Sequence, residues 1–185
     1  MMTEISLNIL DIAENSVKAG AKLAEISVEA DSAANRLSVV IRDNGCGMSA
    51  AQLQSVTDPF YTTRTTRKVG LGIPFFKESA ELAGGSFEIS SEVGVGTTVK
   101  AQYQLDHIDR MPLGDLAATV HILITMHSET DFLFRYRVDD QSFALDTREL
   151  REILGNISFQ EPEISNYIRD YLKEHIASVT GTTIL

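Results

Sequence analysis

Only one cysteine, Cys46, occurs in the 185 residues, so no internal disulfide can form. Basic side chains are also in short supply: 16 Lys and Arg against 26 Asp and Glu give a formal charge of −10. That balance argues against binding along a nucleic-acid backbone or docking on an anionic membrane, and any phosphate contact must be a local device. No apolar run approaches the length of a membrane span or a signal-peptide core. No internal repeat or low-complexity linker is found. These absences lead to the expectation of a soluble chain in a reducing, cytoplasmic setting. What is present includes an apolar fraction of 43%, enough to fill a core, in a length that suits one domain or one domain with a substantial appendage.

The rest of the chain is arranged around Asp43-Asn44-Gly45-Cys46-Gly47-Met48. It follows the alternating run Leu37 to Arg42, which reads as a β-strand that stops where the glycines begin. An Asp at a strand end presents a carboxylate acceptor at a fixed point, and the glycines let the backbone pass close to a flat ligand. That combination suits an exocyclic amine such as the N6 of adenine. Asp-Asn-Gly is also an ordinary turn, so the flanking segments carry the weight.

Upstream, Ile5, Ile9, Ile12, Ala13 and Val17 recur at helical spacing, and Gly20 is a natural stop. Asn8, Asp11, Asn15 and Lys18 line up along one stripe of that helix. An amide oxygen there can serve a hard cation, a carboxylate can serve a water or hydroxyl, and an ammonium can serve a phosphate; a plain solvated face has the same pattern. Strands are expected at Ala24 to Ala30 and Leu37 to Arg42, with a short helix capped by Ser49 after the glycines.

The segment Asp58 to Lys68 holds hydroxyls and three cations with almost no core residues, and reads as a loop. It leads into Val69-Gly70-Leu71-Gly72-Ile73-Pro74 and a helix to Ala83; glycines before a helix N-terminus expose unpaired N–H groups and suit an anion. Ser86 to Ser91 and Thr97 to Tyr103 read as strands. Residues 106–185, with 7 basic and 14 acidic side chains, are expected to carry strands at Thr119 to Met126, Asp131 to Val138 and Ser142 to Leu145, then helices at Thr147 to Leu154 and Pro162 to Ala177. The best boundary is Arg110 to Gly114. His107, His121, His127 and His175 read as structural, with His121 in a strand and no spacing for a metal.

In this order the motifs resemble the superfamily that joins gyrase, the heat-shock chaperone ATPase, histidine kinases and MutL. Ile9 to Ala21, with Glu14-Asn15-Ser16 and Ala19-Gly20-Ala21, looks like the N-box helix, close to its MutL version. Asp43 to Met48 resembles the G1 box, Asp58 to Arg64 the F-box of histidine kinases, Gly70-Leu71-Gly72-Ile73 the G2 box and Gly96-Thr97-Thr98 the last glycine box. The resemblance runs from about residue 5 to 103. It implies an α+β fold over residues 1–105: a two-layer α/β sandwich, the Bergerat ATP-binding fold, with a mixed sheet and helices on one face. The strands and helices read over 106–185 are expected to form a small C-terminal β-hairpin and helix subdomain that either serves partner binding or homodimer formation or only covers an exposed face of the sandwich.

The resemblance further implies ATP and Mg²⁺. Asn15 would hold Mg²⁺ and Lys18 would reach the phosphates. Asp43 would accept from the adenine amine, Gly45 and Gly47 would let the base approach beside Met48, and Thr97 would fix the adenine end. Phe60, Thr62, Thr63 and Arg64 of the F-box, with Arg67 and Lys68, would form the lid. Gly70, Leu71 and Gly72 would supply backbone to the phosphates. Asp11 stands where hydrolysing members carry a Glu base, one methylene shorter, and Lys68 replaces a G2 glycine. No helical segment bearing an acceptor His is expected ahead of the N-box. The expectation is therefore a kinase that phosphorylates a protein partner in trans. The alternatives are an ATP-driven clamp of MutL type and a non-catalytic nucleotide sensor.

Overall fold

The computed structural model describes residues 3–56, 72–183 and 185. Helix α1 (Ile5–Lys18) leads into the hairpin β1 (Leu23–Asp31) and β2 (Arg36–Asp43). Helices α2 (Ala50–Val56) and α3 (Gly72–Leu82) precede a second hairpin, β3 (Ser86–Glu92) and β4 (Gly96–Gln104). Helix α4 (Leu116–Met126) then returns the chain to β5 (Asp131–Val138), β6 (Gln141–Asp146), α5 (Thr147–Leu154) and α6 (Pro162–Thr180).

The six strands form one mixed sheet in the order β3-β4-β2-β1-β5-β6, in which β1 and β5 run parallel and every other pair antiparallel. Strand alternation decides what each face meets. Ala24, Ile26, Val28 and Ala30 of β1, Leu37, Val39 and Ile41 of β2, and Phe132, Phe134 and Tyr136 of β5 are buried under the helical layer. Their neighbours in sequence face outward; there Arg135 pairs with Glu25 at 3.0 Å and Arg137 with Glu29 at 3.8 Å. The expected α+β sandwich with helices on one face of a mixed sheet is what the chain forms.

Residues 106–185 continue this sheet and this core. Leu23 of β1 pairs with Asp131 of β5. The first backbone donors of α1, Ile5 N and Ser6 N, go to the carbonyls of Pro112 at 3.0 Å and Leu113 at 2.8 Å. The stretch read as a boundary is thus fastened to the first helix.

One element differs from expectation. Thr119 to Met126 is helix, not strand, and His121 is accordingly a helical residue. Asp115 caps α4 by accepting from Ala118 N at 2.8 Å, and Leu116, Ala117, Val120, Leu123 and Ile124 are buried at helical spacing. A helix apolar on nearly all sides is one that fills a slot between others, and α4 packs between α1 and α6. The C-terminal hairpin is therefore β5–β6, with Asp139 at φ 50° in its turn. Among the described residues no helix is long and apolar enough to cross a membrane.

The half-buried His121 joins α4 to α6: its Nε2 lies 3.0 Å from the Ser165 carbonyl and 2.9 Å from the Ser165 hydroxyl. Burial holds its pKa below the ordinary value, against the pull of the Ser165 backbone bond and with help from the charges of Arg169 and Lys173. The folded state thus favours the neutral ring. Its contribution is complete above the unfolded pKa of about 6.5 and is lost as the pH falls through that value toward the lower folded one. Melting curves at about pH 7.5 and 5.5 should show a larger acid-induced drop for wild type than for His121→Gln. Equal drops would assign the acid sensitivity to other groups.

Candidate functional site

A cavity of about 280 Å³ opens between the C-terminal half of α1, the ends of β2 and β4, the glycine turn, α2 and the first turn of α3. Its lining brings together Asn15, Asp43, Gly47, Met48 and Thr97, residues separated by up to 82 positions in sequence. Ile12, Ile41, Val56, Ile73 and Val99 supply an apolar wall. A flat, largely apolar ligand with one polar edge fits such a lining.

Asp43 is held from three sides. Its Oδ1 accepts from Gly45 N at 2.9 Å and Thr97 N at 3.3 Å, and its Oδ2 accepts from the Ser16 hydroxyl at 2.8 Å. A carboxylate has about four acceptor positions, so these three bonds fix the group and leave one on Oδ2. Ser16 was not among the expected site residues. It lies one step past Asn15 on the buried, sheet-facing side of α1 with Ile5, Ile9 and Ile12, and a hydroxyl on an otherwise apolar face is the signal that marks it.

The glycine turn packs closely against its protein neighbours. Gly47 sits at φ +66°, and a Cβ there would collide with the Glu92 carbonyl oxygen. The Gly94 N–H bonds to the Cys46 carbonyl at 2.8 Å and Cys46 N to the Ala19 carbonyl at 2.9 Å, so the turn is tied to both the β3–β4 loop and the end of α1. Gly45 packs against Ala19. Ser91, another residue missed in the sequence, accepts from Met48 N at 2.8 Å and bonds the Gly96 carbonyl at 3.0 Å and the Thr97 hydroxyl at 2.8 Å. Met48 and Thr97 are thereby set relative to one another by one hydroxyl.

Along α1 the expected stripe divides. Asn15 reaches the cavity, Asn8 is fully buried, and Lys18 is exposed and outside the lining. The Asp11 carboxylate lies against Gly72, where any β-carbon would overlap its Oδ2; the carboxylate is therefore stationed at the N-terminal turn of α3, beside Ile73 of the cavity. Glu14, on another side of α1, bonds His127 at the end of α4, Oε1 to Nε2 2.6 Å. Phe60, Thr62, Thr63, Arg64, Arg67, Lys68, Gly70 and Leu71 lie outside the described residues. Among the described residues no group of three or more His, Cys, Asp or Glu is arranged to hold a metal, so a divalent ion here would rest on Asn15 Oδ1 and on oxygens of a bound ligand. A magnesium ion that keeps waters and phosphate oxygens needs no more than one or two protein oxygens.

The family model described as histidine kinase-, DNA gyrase B-, and HSP90-like ATPase matches residues 3–107. A putative sensor protein of Shewanella frigidimarina is 31% identical over 103 residues, covering 55% of this chain and 16% of that protein. Sensor protein SrrB of Staphylococcus aureus is 34% identical over 102 residues, covering 52% and 17%. The chain thus spans less than a fifth of the length of these curated relatives. Among solved structures, the N-terminal domain of a DNA repair protein aligns with a TM-score of 0.55 at 16% identity, over 98% of this chain and 58% of that one. The Aquifex aeolicus MutL ATPase domain complexed with ADP aligns with a TM-score of 0.51 at 12% identity, over 83% and 70%. These two likenesses are of fold, and the first takes in β5, β6 and the helices beyond the matched family segment.

Proposed function

The chain belongs to the histidine kinase-, DNA gyrase B-, and HSP90-like ATPases, and from that premise we propose that it binds Mg-ATP in the cavity at Asp43 and passes the terminal phosphoryl group to a protein partner in trans. The observation that carries this reading is the threefold anchoring of the Asp43 carboxylate at the cavity wall, with a single acceptor position spare for the adenine amine. Gly47 and the apolar wall take the base, and Thr97, whose N–H bonds Asp43, helps to fix the same adenine end. Asn15 offers its amide oxygen to magnesium, which when bound neutralises charge on the phosphates. Asp11, beside Gly72, accepts the proton of the incoming hydroxyl or imidazole. Phosphoryl transfer depends chiefly on such positioning and charge neutralisation. Arg64, Arg67 or Lys68 supplies a cation to the γ-phosphate, and the setting is cytoplasmic.

Labelled ATP with the co-purified partner tests this. Label should appear on the partner, and Asp11→Asn should slow transfer by about a hundredfold while ATP affinity stays within about threefold. Release of all label as free phosphate, at a rate the partner does not alter, would point to hydrolysis. A second reading, a nucleotide-driven clamp, draws on the MutL-like Glu14-Asn15-Ser16 and Ala19-Gly20-Ala21 and on the likeness to the ADP-bound MutL domain. It requires the chain to dimerise with a nonhydrolysable ATP analogue, which sedimentation reads directly.

A further inference from the structure

Strand β6 ends the sheet, so one side of Gln141–Asp146 has no neighbouring strand among the described residues. Folded proteins usually shield such an edge with charge, proline or a covering element, because its unpaired N–H and C=O groups are a template for another strand. Here the edge is bordered by a groove of about 210 Å³ whose apolar wall comes from Leu145, Leu150, Ile153, Tyr167, Ile168 and Tyr171. Ile153 is 79% and Tyr167 61% exposed, far more than either would be in a sealed core.

The groove is built rather than loose. Tyr167, Tyr171 and His175 follow one another at single-turn intervals on α6, with ring centroids 5.8 and 4.0 Å apart. Phe143 of β6 packs on Tyr171 at 5.6 Å and on His175 at 4.9 Å, which ties this aromatic ladder to the edge strand.

Charge selects the occupant. Asp146 and Glu149 are in the groove lining and no Lys or Arg is. Asp146 is already taken by Arg148 at 2.6 Å, whereas Glu149 has no ion pair among the described residues. Helical spacing places Glu163, Asp170 and Glu174 on the outer flank of the ladder; Asp170 is paired with Arg169 at 3.1 Å, which leaves Glu163 and Glu174 without an ion pair among the described residues. The charges of Arg169 and Lys173 act on His121 from the other flank. A second copy of this chain would bring the same acidic rim against itself, and residues 106–185 carry 7 basic against 14 acidic side chains.

We propose that the β6 edge and this groove receive an extended segment of a partner protein whose helix-facing positions, every second residue, carry apolar side chains together with Lys or Arg. Its backbone pairs with β6, its helix-facing apolar side chains fill the groove beside Ile153, and the cations on that same face meet Glu149, Glu163, Glu174 and the faces of Tyr167 and Tyr171. Recognition of this kind is independent of nucleotide, so it stands or falls separately from the activity proposed above.

The test uses the full chain and fluorescein-labelled peptides of about nine residues, long enough to pair with an edge strand of this length. One has Ser at every second position with Val and Lys at the positions between; a second keeps the Lys but has Pro at one Val and at one neighbouring Ser, so that an N–H is lost toward either edge; a third has Glu in place of Lys. By fluorescence anisotropy the Val/Lys peptide should bind, and the Pro and Glu peptides should bind at least about tenfold more weakly. The exposed-site variants Ile153→Ser and Tyr167→Ser should each weaken Val/Lys binding by about tenfold, and Glu149→Gln by a few fold. The assignment is overturned if the Val/Lys peptide does not bind, if the Pro peptide binds as well, or if the variants bind like wild type, since the last two describe diffuse attraction to an acidic protein. Concentration-dependent dimers that Ile153→Ser dissolves would also overturn it, by making the occupant a second copy.

Discussion

Asp43→Asn is expected to lower ATP affinity by about a hundredfold or more while leaving the fold intact. The residue donates nothing in its native form and accepts three bonds, from Gly45 N, Thr97 N and Ser16 Oγ. In the variant, the amide oxygen keeps the two backbone donors at the Oδ1 position, and the amide nitrogen takes the Oδ2 position. There it still satisfies Ser16, whose hydroxyl can turn and accept. The free position beside it changes from acceptor to donor. An adenine amine then meets a donor, and a buried donor–donor clash costs the desolvation of both groups. Guanine carries an oxygen at the corresponding place, so the same change should narrow or reverse the preference for ATP over GTP. Calorimetric titration with ATP, ADP and GTP reads both effects, and a melting curve within a few degrees of wild type separates them from unfolding. Unaltered ATP affinity in a folded variant would remove Asp43 from the binding site.

Phe134→Ala is expected to cost about 3–5 kcal/mol, the usual range for emptying a fully buried aromatic site. Phe134 is 0% exposed. It packs on Tyr136 at 6.4 Å and Phe143 at 6.4 Å between centroids, and stands directly across from Ile26 of β1 in the sheet. Its surroundings therefore include β1, the first strand of the hairpin that ends at the glycine turn, as well as the C-terminal helices. Because β1 is bonded to β2 on one side and to β5 on the other, the loss should appear throughout the molecule. Urea unfolding followed by circular dichroism and by ATP binding should give one shared midpoint, shifted down in the variant. Two separate transitions, with ATP binding untouched by Phe134→Ala, would divide the chain into independent parts near residue 105.

Much of the site could be read from the chain because its parts are local. An alternating strand that ends on Asp43 and meets two glycines is a pattern within ten residues, and the Asn15 stripe is a pattern within three turns. Ser16 escaped notice because its role depends on which side of α1 meets the sheet, and Ser91 because its three partners sit on two other segments. Thr119 to Met126 reads as strand in the sequence for a different reason. A continuous apolar run has no period to distinguish a buried helix from a buried strand, and the deciding feature, the Asp115 cap, lies outside the run. Lys18, expected near phosphates from its stripe and from the resemblance, stands exposed at the last residue of α1. Nothing in local sequence announces that β5 joins β1, since parallel pairing between remote segments leaves no short-range pattern.

That pairing has a consequence for how the molecule comes into being. Leu23 and Asp131, its first partners, are roughly a hundred residues apart along the chain, and closing so long a loop is slow compared with making the two early hairpins. As the polypeptide leaves the ribosome, the β1–β2 and β3–β4 hairpins can find each other while one flank of β1 still waits, bare, for a strand not yet synthesised. The interval is the one in which this protein is most open to mispairing with its neighbours, and it ends only when β5 arrives and α4 has crossed over to deliver it.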